Sequence, residues 1–188
     1  SAGSLTSGET TVAAVGGVAT FTNVRLIGLP ANSYTLGFAS GSLTGATSSA
    51  LSVTFNTAYQ IAITTQPVGG QTALALTTQP VVEIQDFYGN RVANDNSTVV
   101  TAAISSGAGG TLAGARSLTA VNGVVTFTDL ALTGTPSVSY KLGFTSSPLV
   151  AANSNNFTVV AGAATQISML TQPVGSVTGM NLGTQPAV

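Results

Sequence analysis

Histidine, cysteine and tryptophan are all missing from this chain, and charge is nearly so: four Lys+Arg and five Asp+Glu make up 5% of 188 residues. Each gap excludes a class of chemistry. Without His or Cys there is no Ser-His-Asp or Cys-His nucleophile pair and no imidazole general base. Zinc, haem and iron–sulfur centres lose their usual ligands. No disulfide braces the fold, so apolar burial must hold it. Four scattered cations cannot neutralise a run of phosphates, which argues against a nucleic-acid partner. An ordinary domain is about 25% charged; here the surface falls to neutral groups, chiefly Thr and Ser.

Long apolar runs are missing too. Mean hydropathy is positive, yet Thr, Gly and Pro break the apolar residues into runs well short of the ~20 that a spanning helix needs. An outer-membrane barrel needs aromatic girdles and ~10-residue alternating strands. Four Tyr and seven Phe, mostly at single repeated positions, do not supply them. No membrane insertion of this segment is expected. Ser1-Ala2-Gly3-Ser4 has no initiator Met, and neither the basic nor the apolar region of a signal peptide follows. The reading is of a mature or excised segment, with any export signal upstream.

What is present is a repeat. Val15-Gly16-Gly17-Val18-Ala19-Thr20-Phe21-Thr22 returns 106 residues later as Val121-Asn122-Gly123-Val124-Val125-Thr126-Phe127-Thr128. The same offset relates Tyr34, Leu36, Gly37 and Phe38 to Tyr140, Leu142, Gly143 and Phe144. Gln66-Pro67-Val68-Gly69 returns as Gln172-Pro173-Val174-Gly175, and Gln79-Pro80 as Gln185-Pro186. Upstream the register slips by one, pairing Leu5 with Leu112. The unit is thus about 106 residues. Residues 1–57 read as the closing part of one repeat, 58–163 as a complete repeat, and 164–188 as the opening strands of a further one. The expected setting is a window on a longer tandem array, with completion of the partial ends by neighbouring chains as the other possibility.

Within a unit the pattern is strand-like. Val82 and Ile84 alternate with Glu83 and Gln85; Val100, Ala102 and Ile104 with Thr101 and Ala103; Tyr140, Leu142 and Phe144 share a face, as do Phe157 and Val159. Period-two alternation buries these and turns Thr and Ser outward. Turn signals intervene at Tyr88-Gly89-Asn90, Gly107 to Gly110, Asn122-Gly123 and Gly134-Thr135-Pro136; Asn-Gly favours a type I′ hairpin. No stretch has helical spacing. The expected fold is all-β: tandem immunoglobulin-like β-sandwich domains of about seven short strands. The antibody Cys–Trp–Cys signature is absent, so Tyr140, Leu142 and Phe144 must pack against Ile84, Val100 and Phe127.

Val81-Val82-Glu83-Ile84-Gln85-Asp86-Phe87-Tyr88-Gly89-Asn90-Arg91-Val92, followed by Asn122-Gly123-Val124-Val125-Thr126-Phe127 and Ser139-Tyr140-Lys141-Leu142-Gly143-Phe144, resembles the bacterial Ig-like repeats of large surface proteins, including invasin- and intimin-type adhesin stalks. That resemblance implies an extracellular or cell-surface setting and a rod of successive units.

Four features are candidate sites. Asp86, Asn90, Asn94, Asp95 and Asn96 form the densest oxygen-donor cluster, which reads as a weak Ca²⁺ site or, preferably, as turn-forming residues with Asp86 in an Asx-turn. Lys141, the only lysine, is expected to be an ordinary exposed residue rather than an isopeptide donor; its counterpart is Thr35. The sequons Asn96-Ser97-Thr98 and Asn156-Phe157-Thr158 read as chance in so Asn- and Thr-rich a chain, Asn156 having Ala50 as its counterpart. Thr-Gln-Pro at 65–67, 78–80, 171–173 and 184–186 reads as architectural, with Pro setting the starts of strands. No catalytic, cofactor-binding or metal-binding residue is assigned, and none of the carboxylates forms a recurring pair.

The functional expectation is a non-catalytic structural module of a bacterial extracellular fibre, stalk or surface-layer protein. An adhesin-type module recognising a host protein or glycan is the alternative, with Tyr88 and Arg91 as its only visible aromatic and charged loop group. The expected partners are neighbouring repeats and, in a filament, other copies of the chain. With no His and few carboxylates, stability is expected to change little between about pH 5 and 9.

Overall fold

The computed structural model describes residues 3–8 and 10–188; Ser1 and Ala2, at the start of the 1–57 segment, and Glu9 lie outside them. Among the described residues every regular element is a β-strand, as the alternation predicts. No helix there is long and apolar enough to cross a membrane.

The opening segment holds six short strands: β1 (Ser4–Ser7), β2 (Arg25–Ile27), β3 (Ser33–Tyr34), β4 (Gly37–Phe38), β5 (Ala46–Thr47) and β6 (Leu51–Ser52). They form three antiparallel pairs, β1–β2, β3–β6 and β4–β5. The central segment is better built. Its strands are β7 (Gln60–Thr65), β8 (Val81–Gln85), β9 (Val99–Ser106), β10 (Thr111–Ala113), β11 (Ser117–Thr119), β12 (Val124–Thr126), β13 (Ala131–Thr133), β14 (Lys141–Thr145) and β15 (Ala152–Asn153). Two sheets form, ordered β12-β8-β7 and β11-β9-β14-β15, with β10–β13 as a separate pair. The expectation of about seven strands undercounts because β10 and β13 are three residues each; Leu112 opposite Leu132 is their one pair of large apolar residues, too short a run to read as alternation.

The alternating residues lie where the pleat puts them. Val82, Ile84, Val100, Ala102, Leu142 and Phe144 are buried, while Thr101 and Ala103 face solvent. The inner faces of both sheets contribute to one cluster, and Phe127, just past β12, meets Phe144 of β14 with ring centroids 5.5 Å apart. Fully burying one such side chain stabilises by about 1.5–3 kcal/mol. The Asn122-Gly123 hairpin has φ of 52° and 74°, both in the left-handed region a type I′ turn demands. Val121 and Val124 close it with reciprocal N–H···O bonds of 2.8 and 3.1 Å.

Tyr140 shows how a polar tip is accommodated in such a core. Its ring is buried, its hydroxyl accepts from the Thr135 N–H at 2.9 Å and donates to the Ala108 carbonyl at 3.3 Å. A Cβ on Gly110 or Gly134 would overlap the ring, so glycine is required at both walls.

Much of this geometry recurs 106 residues earlier. Gly16 and Gly17 have φ of 59° and 81°, and Val15 and Val18 exchange bonds of 2.9 and 3.1 Å. Leu36 N–H donates to Ser48 Oγ at 2.9 Å, as Leu142 N–H does to Ser154 Oγ at 2.9 Å. Tyr34 is walled by Gly3 and Gly28, and its hydroxyl donates to the Leu29 carbonyl at 3.2 Å. In the closing segment, Thr171 bridges Ala187 and Val174 bridges Thr184, repeating the pairings of Thr65 with Val81 and Val68 with Thr78. Burial does not recur. Phe144 is 0% exposed and its counterpart Phe38 39%; Ile61 is 5% exposed and Ile167 83%.

Candidate functional site

Of the polar residues singled out in the sequence, Asp86 and Asn90 lie where the opening and central segments meet, and Asp95 and Asn96 lie against the Asn122-Gly123 hairpin. Asp86 follows β8 and begins a tight turn: Gly89 N–H donates to its carbonyl at 3.0 Å. Its buried carboxylate accepts Tyr88 N–H and Asn90 N–H on Oδ1, both at 2.9 Å. Oδ2 accepts Asn90 Nδ2 at 3.1 Å and Asn56 N–H at 3.0 Å. The first of these is the Asx-turn read from the sequence. The last is not local. It ties the end of the opening segment to the turn that follows β8 in the central one.

Asp95 is used in the same manner. Its Oδ1 accepts Ser97 N–H at 3.0 Å and Thr98 N–H at 2.9 Å, and the Ser97 and Thr98 hydroxyls donate to its carboxylate. Its carbonyl accepts Gly123 N–H at 2.7 Å, and Asn96 Oδ1 accepts Asn122 N–H at 2.8 Å. The Asn94–Thr98 loop therefore clamps the type I′ hairpin. Both carboxylates spend their lone pairs on protein donors, which favours the turn role over a cation site. No group of three or more metal-ligating side chains occurs among the described residues.

Burial pushes both carboxyls up, but the donated hydrogen bonds outweigh it. For Asp86 these come from Asn56, Asn90 and Tyr88; for Asp95 from Thr98 and Ser97. Both groups titrate below the ordinary 3.8. A carboxyl depressed on folding contributes stability that is complete above its unfolded pKa and is lost as pH falls through the folded one. Acid titration followed by circular dichroism is therefore expected to show a plateau from pH 9 to 5 and a loss of melting temperature only below about pH 4. In the Asp86→Asn variant the acid limb is expected to flatten.

Three exposed aromatics stand beside Asp86. Tyr59 and Phe87 have ring centroids 5.1 Å apart, Phe87 and Tyr88 5.4 Å, both edge-on. The sequence pointed to Tyr88 and Arg91 but missed Tyr59, which a main-chain bond from Tyr59 N–H to the Gln85 carbonyl at 2.8 Å brings alongside. Next to them a cleft of about 420 Å³ runs between the segments, lined by Arg25, Gly28, Phe55, Asp86, Tyr88 and Asn90 among others.

The Thr-Gln-Pro motifs act through glutamine as well as proline. Gln79 Oε1 accepts Leu130 N–H at 3.0 Å while its Nε2 donates to the Leu130 carbonyl at 2.9 Å, so the side chain pairs with Leu130 as a strand would. Gln66 Oε1 accepts Asn155 N–H at 2.9 Å. Pro80 opens β8 as expected, whereas Pro67 follows the end of β7 rather than starting a strand. Lys141 is half-buried at the start of β14, not fully exposed as expected, and Gly143 on the same face is buried. Asn96 and Asn156 of the two sequons are both exposed, Asn96 being engaged with the hairpin.

No protein-family model matches this chain, and a search of the curated proteins finds no match. Nothing in those comparisons identifies an invasin- or intimin-type repeat.

Proposed function

We propose that the chain is a stretch of tandem immunoglobulin-like units, at 1–57, 58–163 and 164–188, forming a non-catalytic structural module of a bacterial extracellular fibre, stalk or surface-layer protein. The strand order of the central segment supports the sandwich type. With β7, β8 and β12 as strands A, B and E, and β15, β14, β9 and β11 as G, F, C and C′, both sheets have the neighbours that an immunoglobulin-like topology requires. Tyr140 immediately precedes the F-type strand, and its hydroxyl bonds to the backbone five residues upstream, the geometry of a tyrosine corner. The single observation that carries the functional reading is what recurs. The hairpin and serine bonds return at the 106-residue spacing, while no carboxylate pair does. Repetition of a scaffold without repetition of a reactive group is what a spacer needs.

Immunogold labelling of intact source cells with an antibody to the central segment tests this. Surface-decorating, beaded material that external protease removes is the expected result. Label confined to the cytoplasm overturns it, and a turnover abolished by a single carboxylate substitution overturns the non-catalytic part. The adhesin-type reading has one observation in its favour, the exposed Tyr59–Phe87–Tyr88 cluster at the junction. Such rings offer contact area at low entropic cost.

A further inference from the structure

We propose that Tyr59, Phe87 and Tyr88 form a stacking site for a short, neutral glycan whose pyranose hydroxyls are equatorial. The three rings are 44%, 63% and 51% exposed, and none belongs to the buried core. Tyr59 lies two residues ahead of buried Ile61, and one unit later the corresponding residues are Thr165 and Ile167. The repeat thus keeps the isoleucine and not the ring. Main-chain bonds fix where the rings stand. Tyr59 N–H donates to the Gln85 carbonyl at 2.8 Å, and the Tyr59 carbonyl accepts Val150 N–H at 2.9 Å. Tyr88 N–H donates to buried Asp86 Oδ1 at 2.9 Å. Phe87 stands edge-on to both tyrosines, at interplanar angles of 72° and 90°, so the rings make a corner and not a flat slab. With their backbone already ordered, little freedom is lost when a ligand arrives. The cluster lies where β8 leads towards β9 and, through Val150, where β14 leads into β15. In the immunoglobulin-like assignment these are the B–C and F–G loops, which variable domains use for contact.

Area and chemistry favour a sugar over a protein. About half of each ring is open, on the order of 300 Å² in all, against the ~800 Å² per partner of a standard protein interface. A pyranose with equatorial hydroxyls gathers its axial C–H bonds on its two faces, and these positively polarised hydrogens meet the negative face of an aromatic ring. Its hydroxyls, ranged around the rim, both donate and accept, and they pair with planar polar side chains. Such side chains adjoin the cluster. Gln60 and Gln85 face each other across β7 and β8, one residue from Tyr59 and two from Phe87. Gln60 Nε2 donates to Gln85 Oε1 at 3.4 Å, and Gln85 Nε2 to Glu83 Oε2 at 3.2 Å, so each amide keeps a second N–H to offer. Exposed Arg91 bridges Gln85 from the other side. Arg91 and Glu83 balance in charge, so nothing here selects an acidic sugar, a phosphate or a lipid surface.

The proposal deepens the adhesin-type reading and rests on it; the structural-module reading does not depend on it. Its test is an amide NMR titration of the 188-residue chain with cellotriose and, separately, with triacetylchitotriose, both built of β-linked pyranoses with equatorial hydroxyls. Shifts confined to Tyr59, Gln60, Gln85, Phe87, Tyr88 and Arg91, with a Kd of about 1 mM, are expected for at least one of them. Tyr59→Thr, which installs the residue of the next unit, and Phe87→Ala are each expected to weaken binding about tenfold or more. Neither is expected to move the melting transition, since both rings lie outside the core. No shift with either sugar at about tenfold that Kd, or shifts that persist in Phe87→Ala, overturns the glycan site. Binding of the labelled chain to cultured epithelial cells separates this failure from that of the adhesin-type reading. Loss of binding when cell-surface sugars are oxidised with periodate supports the glycan. Binding that survives periodate, is lost on protease treatment and needs Phe87 assigns the rings to a protein partner and overturns the glycan alone. No cell binding together with no shift overturns both.

Discussion

Phe144→Ala is expected to lower the stability of the central segment by about 3–5 kcal/mol, while Phe38→Ala, at the matching position one unit earlier, changes the same transition by less than about 0.5 kcal/mol. The side chains are identical and both follow Leu-Gly, but β14 lies between β9 and β15 whereas β4 pairs with β5 alone. Phe144 is fully enclosed between the two sheets against Phe127, so truncation leaves a cavity as well as a lost transfer term. Phe38, in the opening segment, is 39% exposed and contributes nothing to the central core. Thermal unfolding followed by far-ultraviolet circular dichroism measures both. A fall in midpoint of more than about 10 °C is expected for the first. Equal effects at the two positions would mean that the opening segment is a complete core in its own right.

Asp86→Ala is the second large effect, of order 3 kcal/mol. It strips the partners from Asn56, Tyr88 and Asn90 N–H at once, and leaves the Tyr59–Phe87–Tyr88 turn without its organising acceptor. Asp86→Asn keeps one acceptor oxygen and is expected to cost less than half as much. Hydrogen exchange at the Asn56 amide distinguishes a local from a junctional role. Its protection is expected to fall at least tenfold in the alanine variant, because that amide belongs to the preceding segment. Unchanged protection there would confine Asp86 to its own turn.

The parts of this molecule that were legible from residues alone are those governed by short-range periodicity. Val82 and Ile84, Val100 and Ala102, Leu142 and Phe144 point inward because their neighbours two residues away do, and Asn122-Gly123 turns because few other dipeptides tolerate two positive φ values. The bonds that organise the candidate site span longer separations. Gln79 reaches Leu130 across 51 residues, Asp86 reaches Asn56 across 30, and Tyr140 reaches Ala108 across 32. No local pattern encodes such a pairing, and a glutamine that completes a strand ladder looks the same in sequence as one facing water. Burial was hidden for a different reason. Alternation says which face of Phe38 or Ile167 is apolar, but the atoms that would cover that face belong to other strands.

One pairing in the central segment bears on how force would travel through a series of such units. Gln60 bridges Val150 and Gln71 bridges Val160, both in parallel, with Ile61 N–H donating to Val150 at 3.0 Å and Thr72 N–H to Val160 at 2.9 Å. The chain enters the unit beside the first bridge and leaves it beyond the second. Tension applied along the chain therefore drags these two stretches past each other lengthwise. Every bond between them is strained together, instead of parting one after another as in the peeling of a hairpin, so the unit's resistance to pulling is concentrated in a few main-chain contacts at its two ends rather than in its apolar interior.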